Sequence, residues 1–161
     1  MPAAIMTLLI GLPGSGKTTL ARRLETERNA LRLTPDEWMS ALFGAGEHNG
    51  KRWVLESQLL WSVAARALTL QTNVILDYGC WSREERELFR RRSTDLGART
   101  ELIVLDPPLD VLWLRLSARN ELAPAATFRI TRDELTAYDG SFERPAPEEL
   151  TAYDRYVVQQ Q

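Results

Sequence analysis

Gly11-Leu12-Pro13-Gly14-Ser15-Gly16-Lys17-Thr18 fits the pattern G-x-x-x-x-G-K-[ST], and its reading decides the fold. Gly11, Gly14 and Gly16 permit a tight turn whose N–H groups converge on phosphate oxygens. Lys17 brings an ammonium to the β- and γ-phosphates, and Thr18 brings a hydroxyl suited to Mg²⁺. Upstream, Ile5–Ile10 reads as a buried strand; downstream, Thr19–Leu24 reads as a helix. The positive end of that helix then meets the same anion. The strand before and the helix after favour a nucleotide cradle over a glycine-rich turn that binds nothing. Residues Gly11 to Thr19 are therefore the expected contacts of a nucleoside triphosphate.

The rest of the 161-residue chain fits one domain, residues 1–161, with 44% apolar and 26% charged residues. A net charge of −2 argues against a strongly basic nucleic-acid surface, although a local patch is compatible with it. Cys80 is the single cysteine, so neither an internal disulfide nor a zinc cluster is expected. The N-terminal apolar run stops at Gly11, too short to cross a membrane, and no basic segment precedes it. Cytoplasm is the expected location.

Ala30–Leu33 is a short candidate strand running into Thr34-Pro35-Asp36-Glu37, which has the residues of a capping box with proline at N1. A short helix to Phe43 and a glycine-rich loop to Gly50 follow. Lys51 to Gln71 is expected as one long helix with Leu60, Ala64, Ala67 and Leu68 on its buried stripe. Asn73–Asp77 reads as a central parallel strand. Ser82-Arg83-Glu84-Glu85 opens the next helix with a second capping box, and Gly97 ends it. Thr100–Leu105 is a strand, Asp106-Pro107-Pro108 starts a helix to about Asn120, and Thr131–Glu134 begins another. Asp154–Val158 supplies a last edge strand. Strands alternating with helices predict a three-layer α/β fold with a mostly parallel sheet of about five strands. Ligands gather at the carboxyl ends of such strands, which singles out the loops at residues 11–17, 34–38, 77–86 and 106.

The acids and cations in those loops carry the chemistry. Asp36 sits in the first turn of its helix, where the dipole alone would favour an acid; there it would also face a γ-phosphate and take a proton from an attacking hydroxyl. Asp77 ends an apolar strand in the manner of a Walker-B acid, a Mg²⁺ ligand, or else it is a turn aspartate before Tyr78-Gly79. The residue after it is Tyr78, not the glutamate that usually activates water in motor ATPases, which weighs toward transfer to a substrate. Arg115 and Arg119 share one helical face beside the loop to Ile130 and could close on the phosphates as a lid spanning about 115–132, or simply offset the helix's negative end. Arg129 and Arg132 are weaker candidates of the same kind. Arg83 and Arg86 could reach an acceptor or hold Asp36, whereas Arg90-Arg91-Arg92 reads as an exposed face. Trp38 and Trp81 are candidates for the wall of an acceptor pocket, and His48 reads as solvated.

Taken in order, GLPGSGKT, TPDEW, VILDYGCWSREERE and WLRLSARN resemble the small P-loop kinases grouped with zeta toxin, chloramphenicol phosphotransferase and the kinase domain of phage polynucleotide kinase. The resemblance spans residues 5–120 and implies a nucleoside-monophosphate-kinase-like fold with a small helical lid, binding ATP and Mg²⁺ and phosphorylating a hydroxyl. It makes Asp36 the base and Arg115 and Arg119 the transition-state cations; with the loop readings above, Lys17 joins those cations, Thr18 and Asp77 are the expected metal ligands, and Asp36, Trp38, Asp77, Trp81 and Arg86 the expected acceptor side. Polynucleotide kinases carry an arginine three residues after the acid, where this chain has Met39, so a nucleic-acid end is not favoured. The expectation is a small-molecule kinase. Its rivals are a polynucleotide 5′-hydroxyl kinase and a nucleotide-dependent switch read by a partner protein.

Overall fold

The computed structural model describes residues 2–122 and 129–161. Its strands are β1 (Ile5–Gly11), β2 (Leu31–Leu33), β3 (Val74–Gly79), β4 (Arg99–Leu105) and β5 (Arg155–Gln159), and they form one sheet in the order β2-β3-β1-β4-β5. Every pairing is parallel. β1 runs down the middle, with Leu8 opposite Leu76 on one side and Leu102 on the other. The chain builds β2 and β3 on one side of β1, then crosses to the other for β4. The crevice lies at that reversal, outside the ends of β1 and β3.

Alternation along β1 divides the core between two faces. Met6, Leu8 and Ile10 pack with Leu60, Ala64 and Leu68 of α4 (Leu60–Thr69), Phe89 of α5 (Arg83–Asp95), and Leu112 and Leu116 of α6 (Leu109–Leu122). On the opposite face Leu9, Ile75 and Ile103 meet Ala21 and Leu24 of α1 (Lys17–Arg28). Helices on both faces of the sheet make the three layers. Among the described residues, no helix is long and apolar enough to cross a membrane.

The helix expected over residues 51–71 is not uniform. It is α-helical over α3 (Lys51–Val54), π-helical over Leu55–Leu59, and α-helical again over α4. The wider π turn displaces main-chain carbonyls from their usual partners, and side chains take them up. Tyr78 Oη donates to Glu56 O at 2.9 Å, and Arg92 Nη1 donates to Ser57 O at 2.7 Å. Arg92 also lies over the Trp61 ring, 5.6 Å from its centroid, and Arg90 pairs with Glu87. The Arg90–Arg92 run is thus not one exposed face; only Arg91 projects into solvent, 74% exposed.

The capping box expected at α2 (Pro35–Phe43) does not form. Thr34 is the N-cap by position, yet its hydroxyl donates to Asp77 Oδ2 at 3.0 Å and accepts from Arg32 Nη1 at 2.6 Å. Glu37 turns to Arg22 and Arg32 instead. Ser82 caps its helix as expected, its hydroxyl accepting from the N–H three residues on, and Thr131 does the same for the helix it begins. Two further helices, α7 (Arg132–Ser141) and α8 (Pro147–Leu150), lead to β5. Of the lid expected at about 115–132, residues 123–128 lie outside the described residues.

Candidate functional site

β1 delivers the chain into a turn that only glycine permits at two points. A Cβ on Gly11 would stand 2.5 Å from Leu105 O and 2.8 Å from Ser15 Oγ. Gly14 has φ +83°, and a Cβ there would press on Leu116 Cγ at 3.0 Å and Leu112 O at 3.2 Å. The loop is thereby seated directly on α6. Arg115 Nη1 adds a bond from that helix to Gly14 O at 3.3 Å. α1 then begins at Lys17, with its first N–H groups open to the crevice.

A cavity of about 890 Å³ opens over this cradle. Gly11, Pro13, Gly14, Gly16, Lys17, Thr18 and Thr19 line it together with Asp36, Asp77, Trp81, Arg115 and Arg119. Leu12 and Ser15 do not: Leu12 is a core side chain, and Ser15 is tucked beneath Gly11.

Asp77 is 4% exposed, two residues before the end of β3. Its Oδ2 accepts from Thr18 Oγ1 at 2.7 Å and from Thr34 Oγ1 at 3.0 Å, while its Oδ1 is buried with no partner. An orphaned carboxylate oxygen beside a threonine hydroxyl suits a hard cation such as Mg²⁺. Among the described residues no group of three or more acids, histidines or cysteines could hold a metal unaided. Phosphate oxygens and water would have to complete the shell, as Mg²⁺ prefers.

Asp36 stands at the rim, its side chain 56% exposed, and Arg52 Nη1 reaches it at 2.6 Å. Arg52 also bonds Glu56 Oε2 through Nε at 3.1 Å and Gly46 O through Nη1 at 3.1 Å. Burial pushes the Glu56 carboxyl up to about 7, against the pull of Arg52. On the lid side, Arg119 Nε is buried without a partner; burial lowers its guanidinium below the usual pKa, and the charge of Asp36 acts the other way.

Two expected acceptor residues are placed elsewhere. Arg86 is 0% exposed: Nε and Nη2 form a bidentate pair with Glu149 at 2.6 and 2.9 Å, and Nη1 donates to Cys80 O at 3.0 Å. With its donors engaged it reaches neither an acceptor nor Asp36. Trp38 is 45% exposed and outside the cavity, because two residues past Asp36 on a helix is about 200° around the axis. Arg83 is drawn to Glu148, and His48 stacks on Phe43 at 4.4 Å. In their place the cavity has Trp53, Arg52 and Glu56, which sequence reasoning missed. Arg52 and Glu56 carried one signal, opposite charges four residues apart, but that spacing is ordinary on solvated helices.

Comparison with known proteins agrees with this geometry. A family described as AAA domain matches residues 6–145. Among curated proteins none matches the sequence. Of solved structures, a candidate kinase from Chloroflexus aurantiacus is 18% identical with a TM-score of 0.75, covering 99% of this chain and 89% of that one. Kti12 of Chaetomium thermophilum, in complex with ADP-AlF3, is 18% identical with a TM-score of 0.72 over 96% of this chain and 88% of its own. The APS kinase CysC of Mycobacterium tuberculosis, in complex with AMPPNP and APS, is 19% identical with a TM-score of 0.64 over 100% and 91%. These likenesses carry the fold, and the family match covers most of the sequence: the chain belongs to the AAA-domain family and has the P-loop kinase fold.

Proposed function

We propose that this P-loop kinase domain transfers the γ-phosphoryl group of Mg·ATP to a hydroxyl of a small molecule. The supporting observation is that Lys17, Asp36, Asp77, Arg115 and Arg119 all line one cavity, although they are spread over the chain from residue 17 to residue 119. The cradle N–H groups and Lys17 hold the phosphates. Arg115 and Arg119 offset charge on the transferred group, and Asp36 accepts the proton of the acceptor alcohol. The alcohol oxygen forms its bond to the γ-phosphorus as the bond to the bridging oxygen breaks, and ADP leaves. Thr18 and Asp77 would hold Mg²⁺, whose chemistry here is neutralisation of phosphate charge.

Tyr78 supports transfer over hydrolysis. It occupies the position after Asp77, where motor ATPases carry a water-activating glutamate, and its hydroxyl is committed to Glu56 O. A polynucleotide acceptor is less well served, because Met39, where a phosphate-gripping arginine would stand, is 0% exposed in the core.

The test is a pair of variants assayed for ADP release with a panel of alcohols. Lys17→Ala loses nucleotide binding and turnover together. Asp36→Asn keeps ATP binding and loses transfer by about two to four powers of ten. Normal transfer by Asp36→Asn would remove Asp36 as the base.

A further inference from the structure

The cavity walls divide by charge. Lys17, Arg115 and Arg119 belong to the phosphate cradle and the helix that closes on it. Apart from Asp77, which belongs with the metal position, the other described residues of the lining include five carboxylates (Asp36, Glu47, Glu56, Glu85 and Glu134) and two guanidiniums, Arg52 and Arg129. Arg52 is already spent on Asp36, Glu56 and Gly46 O at 2.6, 3.1 and 3.1 Å, so it offers little to an incoming anion. Positive charge is what this wall lacks, with five acids to two guanidiniums. Glu85 adds to burial in raising Glu56, so the carboxylates crowd one another and an entering cation relieves them. Aromatic rings complete the wall: besides the buried Tyr78 they are those of Trp53, Trp81 and Tyr138, the last two 5.0 Å apart and tilted by 42°. Aromatic faces among carboxylates bind an ammonium group and repel a phosphate, sulfate or carboxylate.

We infer that the acceptor is a cation, an alcohol that also bears an ammonium group, as in an amino sugar, seated between the carboxylates and aromatic rings beside the phosphate cradle, whose Gly11 O accepts from Trp81 Nε1 at 3.3 Å. The inference rests on the phosphotransfer reading above and narrows it to a substrate class. The ammonium docks among Glu85, Glu134 and the Trp81–Tyr138 pair, and the hydroxyl turns toward Asp36. Anionic acceptors and nucleic-acid ends are refused by the same wall.

The experiment compares alcohol acceptors of different charge. Glucosamine and kanamycin are set against their N-acetylated forms, gluconate and a 5′-hydroxyl oligonucleotide. ADP release is followed with Mg·ATP, and quenching of tryptophan fluorescence reports acceptor binding to protein loaded with Mg·AMPPNP. The expected result is that the amines bind and are phosphorylated, and that N-acetylation raises KM by about tenfold or more. Glu85→Gln and Glu134→Gln raise KM for the amine in the same way and leave the N-acetylated form little changed. Turnover of a neutral or anionic acceptor as efficient as that of its amine counterpart overturns the inference and keeps the phosphotransfer reading. Amine binding that is sensitive to Glu85→Gln, with no transfer to any alcohol, overturns phosphotransfer and keeps the cation site. Amines that neither bind nor react overturn the inference.

Discussion

A carboxyl group with little water around it keeps its proton to higher pH, and Glu56 is the clearest case here. Its side chain is 6% exposed, and burial holds it near 7 even with Arg52 alongside. The unfolded chain releases that proton near 4.5. Between those values the folded state binds more protons than the unfolded one, so this group's contribution to stability falls as pH rises from about 4.5 to about 7 and is flat above. The whole effect is at most about 3 kcal/mol. Melting temperatures of the native protein and of Glu56→Gln, measured from pH 5 to 8, should diverge in slope: the native protein loses stability across the window, and the variant loses less. Parallel curves would show that Glu56 titrates like an exposed acid. The same residue shows why part of the site was hidden from sequence reading. Asp36 and Asp77 could be found because one follows β2 and the other lies toward the carboxyl end of β3, both at a topologically marked edge. Arg52 and Glu56 lie inside a helix, where only the fold reveals which side faces the cavity.

At the scale of elements, the Arg86–Glu149 pair clasps α5 to α8, joining segments that are distant in sequence and closing them under the Cys80 turn. Both side chains are almost wholly buried, and neither can lose its partner without leaving a charge in a dry place. Arg86→Met should therefore cost about 3–5 kcal/mol of stability, read in denaturant melts. Arg86→Met combined with Glu149→Leu should recover most of it, because the uncompensated charge is then gone. An Arg86→Met protein as stable as the native one, but impaired in acceptor KM, would restore Arg86 to the acceptor site. The expectation that Arg86 serves the acceptor came from its place after the Asp77 loop. What sequence could not supply was α8, a four-residue helix with too few positions to show a period. Similarly, Thr34 satisfied the pattern of a helix cap, but a charged donor nearby, Arg32, took the place of the α2 N–H groups on its oxygen, while its proton went to Asp77.

For the molecule as a whole, the fold was legible because it is written in repeated local signals: apolar strands, capping residues and a phosphate loop, each agreeing with the next. All five strands were readable, including β5 at the sheet edge. A site assembled from both sides of the crevice should also bind its nucleotide as a unit and hold the fold together. At Mg·AMPPNP one hundred times above Kd, linkage adds about 2.7 kcal/mol. For a chain of this size that raises Tm by roughly 5–10 °C. The shift should vanish in Lys17→Ala, and a scan with nucleotide alone and with Mg²⁺ alone separates the two contributions. No shift with either would mean that the cradle does not take the nucleotide.

The π turn at Leu55–Leu59 gives the helix one residue more than a regular spiral of the same length would need. Excising a single exposed position there, Gln58, would let the segment relax into an unbroken α-helix and swing everything before it by about 100°. Arg52, Trp53 and Glu56 would rotate off the crevice in concert while α4 kept its seat on the sheet. One codon lost or gained at this point thus separates a helix that furnishes a binding wall from one that merely covers the core.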